Sequence, residues 1–410
     1  MPRLLLTAAL LTTCLGATAQ VPLRFAKFDP AQLTPQNFEQ TLAPLARKEG
    51  KLVLYNTAGN FDTVWKQGLV PAFEARYGVR VVVRNVRPSN ANQQLMAVHK
   101  AGVPAPVDVY FAGAPDAYDS LQRAGVLPSL SLADLLPNLA AVPDAYKRVV
   151  FGIDTQGRWP IVHRNQTTLA YDSAALPAAQ LPQTFDSLLA WAQRHPRQLA
   201  ITSPTKGGSG SGFLYAAALA LSPDPACQAQ LRNTRSSEAE ATRWAAQAPC
   251  LQPLWVYMTR LLQVSELTNG NADTLNLLNN RQIVIGTSWE DLVQTFVQAH
   301  QLPPGTRQTL LAPGLVGSGD GLIVPANARS PAAALLFINM AFGREFQLWK
   351  LAHHASRSVR SDIDPAQAVP PHNAQTMVPA EQMRAGSVVA NWPMTRALVK
   401  AFEEQVLPKL

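Results

Sequence analysis

Apolar and polar positions alternate along this chain in two rhythms. Continuous apolar or β-branched runs predict buried strands at residues 51–55, 79–83, 107–111 and 199–202. Further strand-like stretches fall at 161–163, 169–171, 282–285 and 322–324. Between them, Trp65, Leu69 and Phe73 recur at the spacing of one helix face, and Gly78 stops that helix. Helical patterns also fill 91–101, 116–124, 185–194, 213–221, 253–264, 289–298, 332–342 and 395–406. Residues 223–249 read as a polar, irregular excursion, and 355–387 carry little regular signal. Strand–helix–strand alternation predicts an α/β protein with parallel sheets and helices on their faces. In such open sheets, ligands gather beyond the carboxyl ends of the strands. That rule picks out residues 57–61 and 112–115.

The N-terminus carries a different pattern. Arg3 precedes an uncharged, mostly apolar run from Leu4 to Leu15, and Ala17-Thr18-Ala19 offers a cut before Gln20. This is the layout of an export signal over residues 1–19. The competing reading is a lipid anchor on Cys14, but the residue before it is Thr13, where a small residue is expected. Export changes the meaning of the cysteines. Cleavage leaves Cys227 and Cys250, which an oxidising compartment is expected to pair. The alternative is two buried thiols. No CxxC or Cys/His spacing points to zinc.

With 410 residues, the chain has room for two or three domains. Apolar residues make up 47% and charged ones 15%, which excludes disorder. The net charge of +8 comes from 25 Arg and 10 Lys against 27 acidic residues. The arginines are scattered, so they form no nucleic-acid arm and read as solvated surface.

Three motifs stand out. Thr202 to Phe213 is a Gly/Ser loop with Lys206, set between a strand and a helix. Its N–H groups and hydroxyls at a helix N-terminus suit carboxylate or phosphate oxygens. The plain alternative is a flexible turn. It spells neither a P-loop, a dinucleotide fingerprint nor a hydrolase elbow. Trp289 and Glu290 open a later helix, as a stacking surface and a cation partner or as core and cap. Gly317-Ser318-Gly319-Asp320-Gly321 holds an acid that is either a turn residue or a ligand contact. The histidines show no ligand spacing, and no nucleophile–base pair appears in these loops, so no enzyme and no cofactor is expected.

In order, these segments resemble the extracellular solute-binding proteins of ABC importers, in the branch that holds iron-, thiamine-, polyamine- and phosphonate-binding members. The carrying residues are Leu52 to Asn56, Phe73-Glu74-Ala75-Arg76-Tyr77-Gly78-Val79, Asp108-Val109, Leu121 to Leu127, Leu169 to Asp172, Thr184 to Leu188 and Ala334 to Gln347. The resemblance implies a two-lobed periplasmic-binding-protein fold of type II with hinge crossover strands. Lobe 1 is expected over 20–165, with part of 320–355 returning to it, lobe 2 over 166–318, and a C-terminal helical segment over 356–410. It implies capture of a small polar or charged solute between closing lobes and delivery to a membrane permease. The contacts it implies are Thr57, Asn60, Phe61 and Gly113 on the first lobe and Tyr171 at the crossover. Ser203, Ser209, Gly210 and Ser211 face them, with Trp289, Glu290 and Asp320 as further candidates. Iron-binding members carry an adjacent tyrosine pair, and this chain has none, which argues against ferric iron. Thiamine-like, phosphonate-like and polyamine-like ligands stay open. The expected protein is a periplasmic or extracellular monomer without nucleic-acid or metal partners. Two other functions compete: a sensor docking on a signalling partner, and a secreted hydrolase.

Overall fold

A computed structural model describes residues 21–113, 115–222, 224–354, 356–364, 368–369 and 371–410. The export signal expected over 1–19, with Cys14, lies outside them, as does the side chain of Asn60.

The strands are β1 (Lys51–Asn56), β2 (Arg80–Asn85), β3 (Val109–Ala112), β4 (Val149–Val150), β5 (Ile153–Asp154), β6 (Ile161–Asp172), β7 (Leu199–Thr202), β8 (Glu266–Thr268), β9 (Ile285–Trp289), β10 (Thr306–Thr309), β11 (Leu315–Ile323) and β12 (Ser387–Val389). Among the described residues, ten join one sheet in the order β2-β1-β3-β11-β6-β9-β7-β8, with β10 on β6 and β12 on β11. β4 and β5 form a separate hairpin. At one end β1 runs parallel to β2 and β3, and at the other β7 runs parallel to β8 and β9. All four residues of β3 and of β7 are buried, as parallel strands covered on both faces require.

Two long antiparallel strands join the halves. β6 pairs with β11 from Ile161 to Gln166 and with β9 from Thr167 to Tyr171. The stretches expected at 161–163 and 169–171 are therefore one continuous strand. The glycine run is not a loop either. It forms the middle of β11, where a Cβ on Gly321 would strike the indole of Trp159. Close packing, rather than turning, is what these glycines serve.

The excursion expected at 223–249 holds two helices, Pro225–Leu231 and Glu238–Gln247. Their apolar faces are thin, so periodicity was faint, but both starts are capped. The Asp224 carboxylate accepts from the N–H groups of Ala226 and Cys227, and Ser237 with Glu240 makes a capping box. Cys227 and Cys250 are disulfide-bonded, with Cα atoms 6.2 Å apart. The bond staples these helices into one unit. Loop-closure entropy assigns it about 3 kcal/mol. Reduction, or Cys227→Ser with Cys250→Ser, is expected to lower the unfolding free energy by that amount and the urea midpoint with it. An unchanged midpoint would remove the bond from the stability account.

The C-terminal segment is helical with one strand, β12. Its last helix, Trp392–Gln405, packs against Glu238–Gln247 and Gly208–Leu221.

Candidate ligand-binding site

The parallel strands of both halves end at one cavity of about 290 Å³. After β1 the chain turns at Thr57, whose Oγ1 donates to the Phe111 carbonyl at 2.8 Å. This ties the turn to the end of β3, beside Gly113. A Cβ at Gly113 would collide with the Asp320 carboxylate, so the glycine lets that acid reach the wall. From the other half come Trp289 at the end of β9 and the first turn of the helix Gly208–Leu221. A Cβ on Gly208 would sit 2.6 Å from the Trp289 ring, so helix start and indole are in contact. Asn165 of β6 completes the floor. Among the described residues its Oδ1 accepts no hydrogen bond although it is buried.

The helix begins five residues before the point at which apolar residues start. It is buried nearly all round, so small residues rather than periodicity mark its first turns. Gly210 makes the approach possible, because a Cβ there would overlap the Thr202 carbonyl of β7. Gly210→Ala is expected to cost about 1–3 kcal/mol by overpacking and to weaken ligand binding together with stability. Unfolding and binding titrations on the variant check both, and wild-type stability would refute the packing argument.

The expected contacts separate into two groups. Thr57, Gly113, Ser211, Trp289 and Asp320 line the cavity. Of the others, those whose side chains are described are engaged elsewhere. Phe61 is 2% exposed and stacks on Phe111 at 5.0 Å and against His163 at 4.4 Å. Tyr171 sits in β6 between β9 and β10, opposite Ile285 and Arg307. Ser203 bonds to Thr205 at 3.0 Å, and Ser209 donates to the Asn271 side chain at 2.6 Å. Lys206 is exposed and lies off the lining. Glu290 is 3% exposed and bonds twice to Arg357, at 2.6 and 2.8 Å.

Phe151, Trp392 and Thr395 also line the cavity, and no local motif marked them. The Trp392 N–H donates to the Phe151 carbonyl at 3.1 Å, and the two rings lie 5.7 Å apart. The Asn391 amide donates to the carbonyls of Leu231 and Asn233, both at 3.0 Å. The start of the last helix is thus held from both sides of the cleft. The sequence Asn391-Trp392-Pro393 is a helix-start signal, which could have flagged this position.

Asp320 is the one carboxylate lining the cavity among the described residues. Burial first, then the charge of Asp291, push its carboxyl up to about 7, while Lys350 pulls the other way. His163, its cross-strand partner, is lowered by burial and supplies no positive charge at neutral pH. Among the described residues no cluster of acidic, His or Cys side chains is arranged to hold a metal ion.

A mixed sheet in two halves, crossed by two strands and cleft between them, is the construction of a two-lobed binding protein. The chain belongs to the family of bacterial extracellular solute-binding proteins, whose family model matches residues 68–366. Membership makes it a substrate-binding receptor for an importer. Solved structures show the same fold. An ABC transporter from Clostridium perfringens superposes with a TM-score of 0.62 at 15% identity, covering 87% of this chain and 99% of its own. Iron-bound HitA from Pseudomonas aeruginosa gives 0.61 at 15% identity, with 87% and 99% coverage. The periplasmic binding protein AfuA from Actinobacillus pleuropneumoniae, with fructose-6-phosphate bound, gives 0.58 at 14%, with 87% and 98% coverage. No curated protein matches the sequence. Trp392 and Thr395 lie beyond the matched family segment, so part of this cleft wall falls outside it.

Proposed function

We propose that the receptor captures a compact zwitterion and hands it to a membrane ABC permease. The observation that carries this reading is the pairing of opposite electrostatics in one small cavity. Asp320 offers a carboxylate beside Gly113, and the rings of Trp289 and Trp392 offer faces for a cationic group. The N-terminus of the helix Gly208–Leu221 offers a place for a carboxylate, phosphate or phosphonate. A volume of about 290 Å³ lies at the lower edge of ligand pockets, which favours an amino-acid-sized solute. A polyamine satisfies Asp320 but leaves the helix end unused. A bare oxyanion does the reverse.

Thr57, Gly113, Ser211, Trp289 and Asp320 are the contacts in this reading, joined by Asn165, Trp392 and Thr395. The mature receptor works outside the cytoplasm as a monomer, freed by cleavage before Gln20. The test is tryptophan fluorescence of refolded, ligand-stripped protein titrated with an aminophosphonate, γ-aminobutyrate, thiamine phosphate, putrescine, phosphate and ferric iron. A saturable response to a zwitterion, weakened at least about tenfold in Trp289→Ala, supports the reading. A tight response to putrescine or ferric iron alone overturns it.

A further inference from the structure

A second cavity, of about 500 Å³, lies across β6 from the cleft. Successive strand residues face opposite ways, and Asn165 lines the cleft while Arg164 lines this cavity. Four arginines border it: Arg164, Arg357, Arg360 and Arg384. No carboxylate is among its lining residues in the described part of the chain.

Two of the four are already neutralised. Arg357 is paired with Glu290, and Arg360 holds Asp362 at 2.8 and 2.7 Å. The other two have no carboxylate partner among the described residues. Arg164 lies with its guanidinium 4.8 Å from the centre of the Tyr146 ring. Burial and then the charge of Arg357 lower its hold on its proton, partly offset by Tyr146 and by the charge of Glu290, which is itself bonded to Arg357. Arg384 is exposed at the rim, and Glu381, one turn earlier, makes no ion pair with it. A largely buried guanidinium without a counter-ion is costly unless something anionic joins it. The remaining wall is apolar, with Ile363 and Met383.

We propose that this cavity is a second ligand site, which binds a small organic phosphate. Arg164 and Arg384 hold the phosphate dianion by charge-assisted hydrogen bonds, and the carbon portion lies against Ile363 and Met383. The cavity is too large for a bare phosphate to fill. The two sites share Phe151 as a wall but no charged group, so each is testable without the other.

The cleft's helix end also attracts anions, so the test first closes it. Ser211→Glu places a negative charge in the first turn of that helix, where it repels phosphate, and binding is measured on variant protein that shows a cooperative melting transition. Binding of glycerophosphate and of inorganic phosphate to this variant is measured by equilibrium dialysis. The expected result is one glycerophosphate per chain. Adding Arg164→Gln weakens it by about tenfold or more, and adding Arg384→Ala weakens it several-fold. Arg384 is exposed, so its variant reports on binding even where Arg164→Gln disturbs folding. Loss of all phosphate binding in Ser211→Glu alone overturns the proposal, as does unchanged binding in both arginine variants. Tighter binding of glycerophosphate than of inorganic phosphate supports the organic ligand, and equal binding overturns that choice in favour of free phosphate.

Discussion

Arg357→Met is expected to destabilise the protein by about 3–5 kcal/mol, while Arg357→Met combined with Glu290→Gln recovers most of that loss. The pair is enclosed: Arg357 is 5% exposed and Glu290 3%. Burial weakens a guanidinium's hold on its proton, but the charge and hydrogen bonds of Glu290 outweigh it and raise the Arg357 pKa above its ordinary value. Methionine fills most of the arginine's volume and leaves the Glu290 carboxylate with only the Val378 N–H, at 2.9 Å. An uncompensated buried charge is the expensive product, more than the lost bond itself. Glutamine in place of Glu290 removes that charge, hence the recovery. The pair also fastens the start of the helix Glu290–Gln298 to residues 357 and 378, so its loss loosens three segments together. Urea unfolding of the three proteins decides the matter. A single variant within about 1 kcal/mol of wild type, or a double variant worse than the single, would defeat the argument.

Glu290 also shows what the sequence makes legible and what it hides. An acid opening a helix is readable, as is Trp289 at the end of a strand before it. Whether the acid faces a ligand or a cation depends on Arg357, 67 positions away, which no local pattern encodes. Phe61 poses the same question. Its place after β1 puts it near the cleft, but Phe111 and His163 take both sides of its ring. Residues at strand ends were readable because the α/β rule fixes where ligands gather: Thr57 and Gly113 follow from it, while Trp289 was legible only as an aromatic opening a helix. Asp320 was readable only as an acid among glycines, since its position rests on β11 crossing between the halves. Phe151, Trp392 and Thr395 come from a hairpin and a terminal helix that tertiary packing alone brings together. The helices near the disulfide escaped because their apolar faces are short. Their caps, Asp224 and the Ser237–Glu240 box, were the signal left unused.

Asp320→Asn is expected to make the protein more stable at neutral pH, less sensitive to pH below neutrality, and a poorer receptor. The ordinary carboxyl pKa of 3.8 is raised to about 7 at this position. Between those values the folded protein holds a proton that the unfolded chain has released, so stability falls as pH rises through that window. The shift corresponds to roughly 4 kcal/mol at most. Lys350 runs the other way, because its pKa falls from 10.5 to about 7 through burial and the charge of Arg164. Its contribution therefore recovers as pH rises above neutrality. Together the two place a shallow minimum of stability near neutral pH, and asparagine removes the acid limb of it. Ligand binding responds in the opposite sense. A cationic group needs the ionised carboxylate, so wild-type affinity for a zwitterion should rise about tenfold from roughly pH 6 to pH 8, while Asp320→Asn stays flat and weak. Melting curves from about pH 4 to 7, where the Asp320 limb acts alone, and fluorescence titrations from about pH 6 to 8 test the two effects. A wild type whose stability does not fall between about pH 4 and 7 or whose affinity stays flat, or an asparagine variant that keeps that fall or the rise in affinity, would show that Asp320 does not set the charge of the cleft.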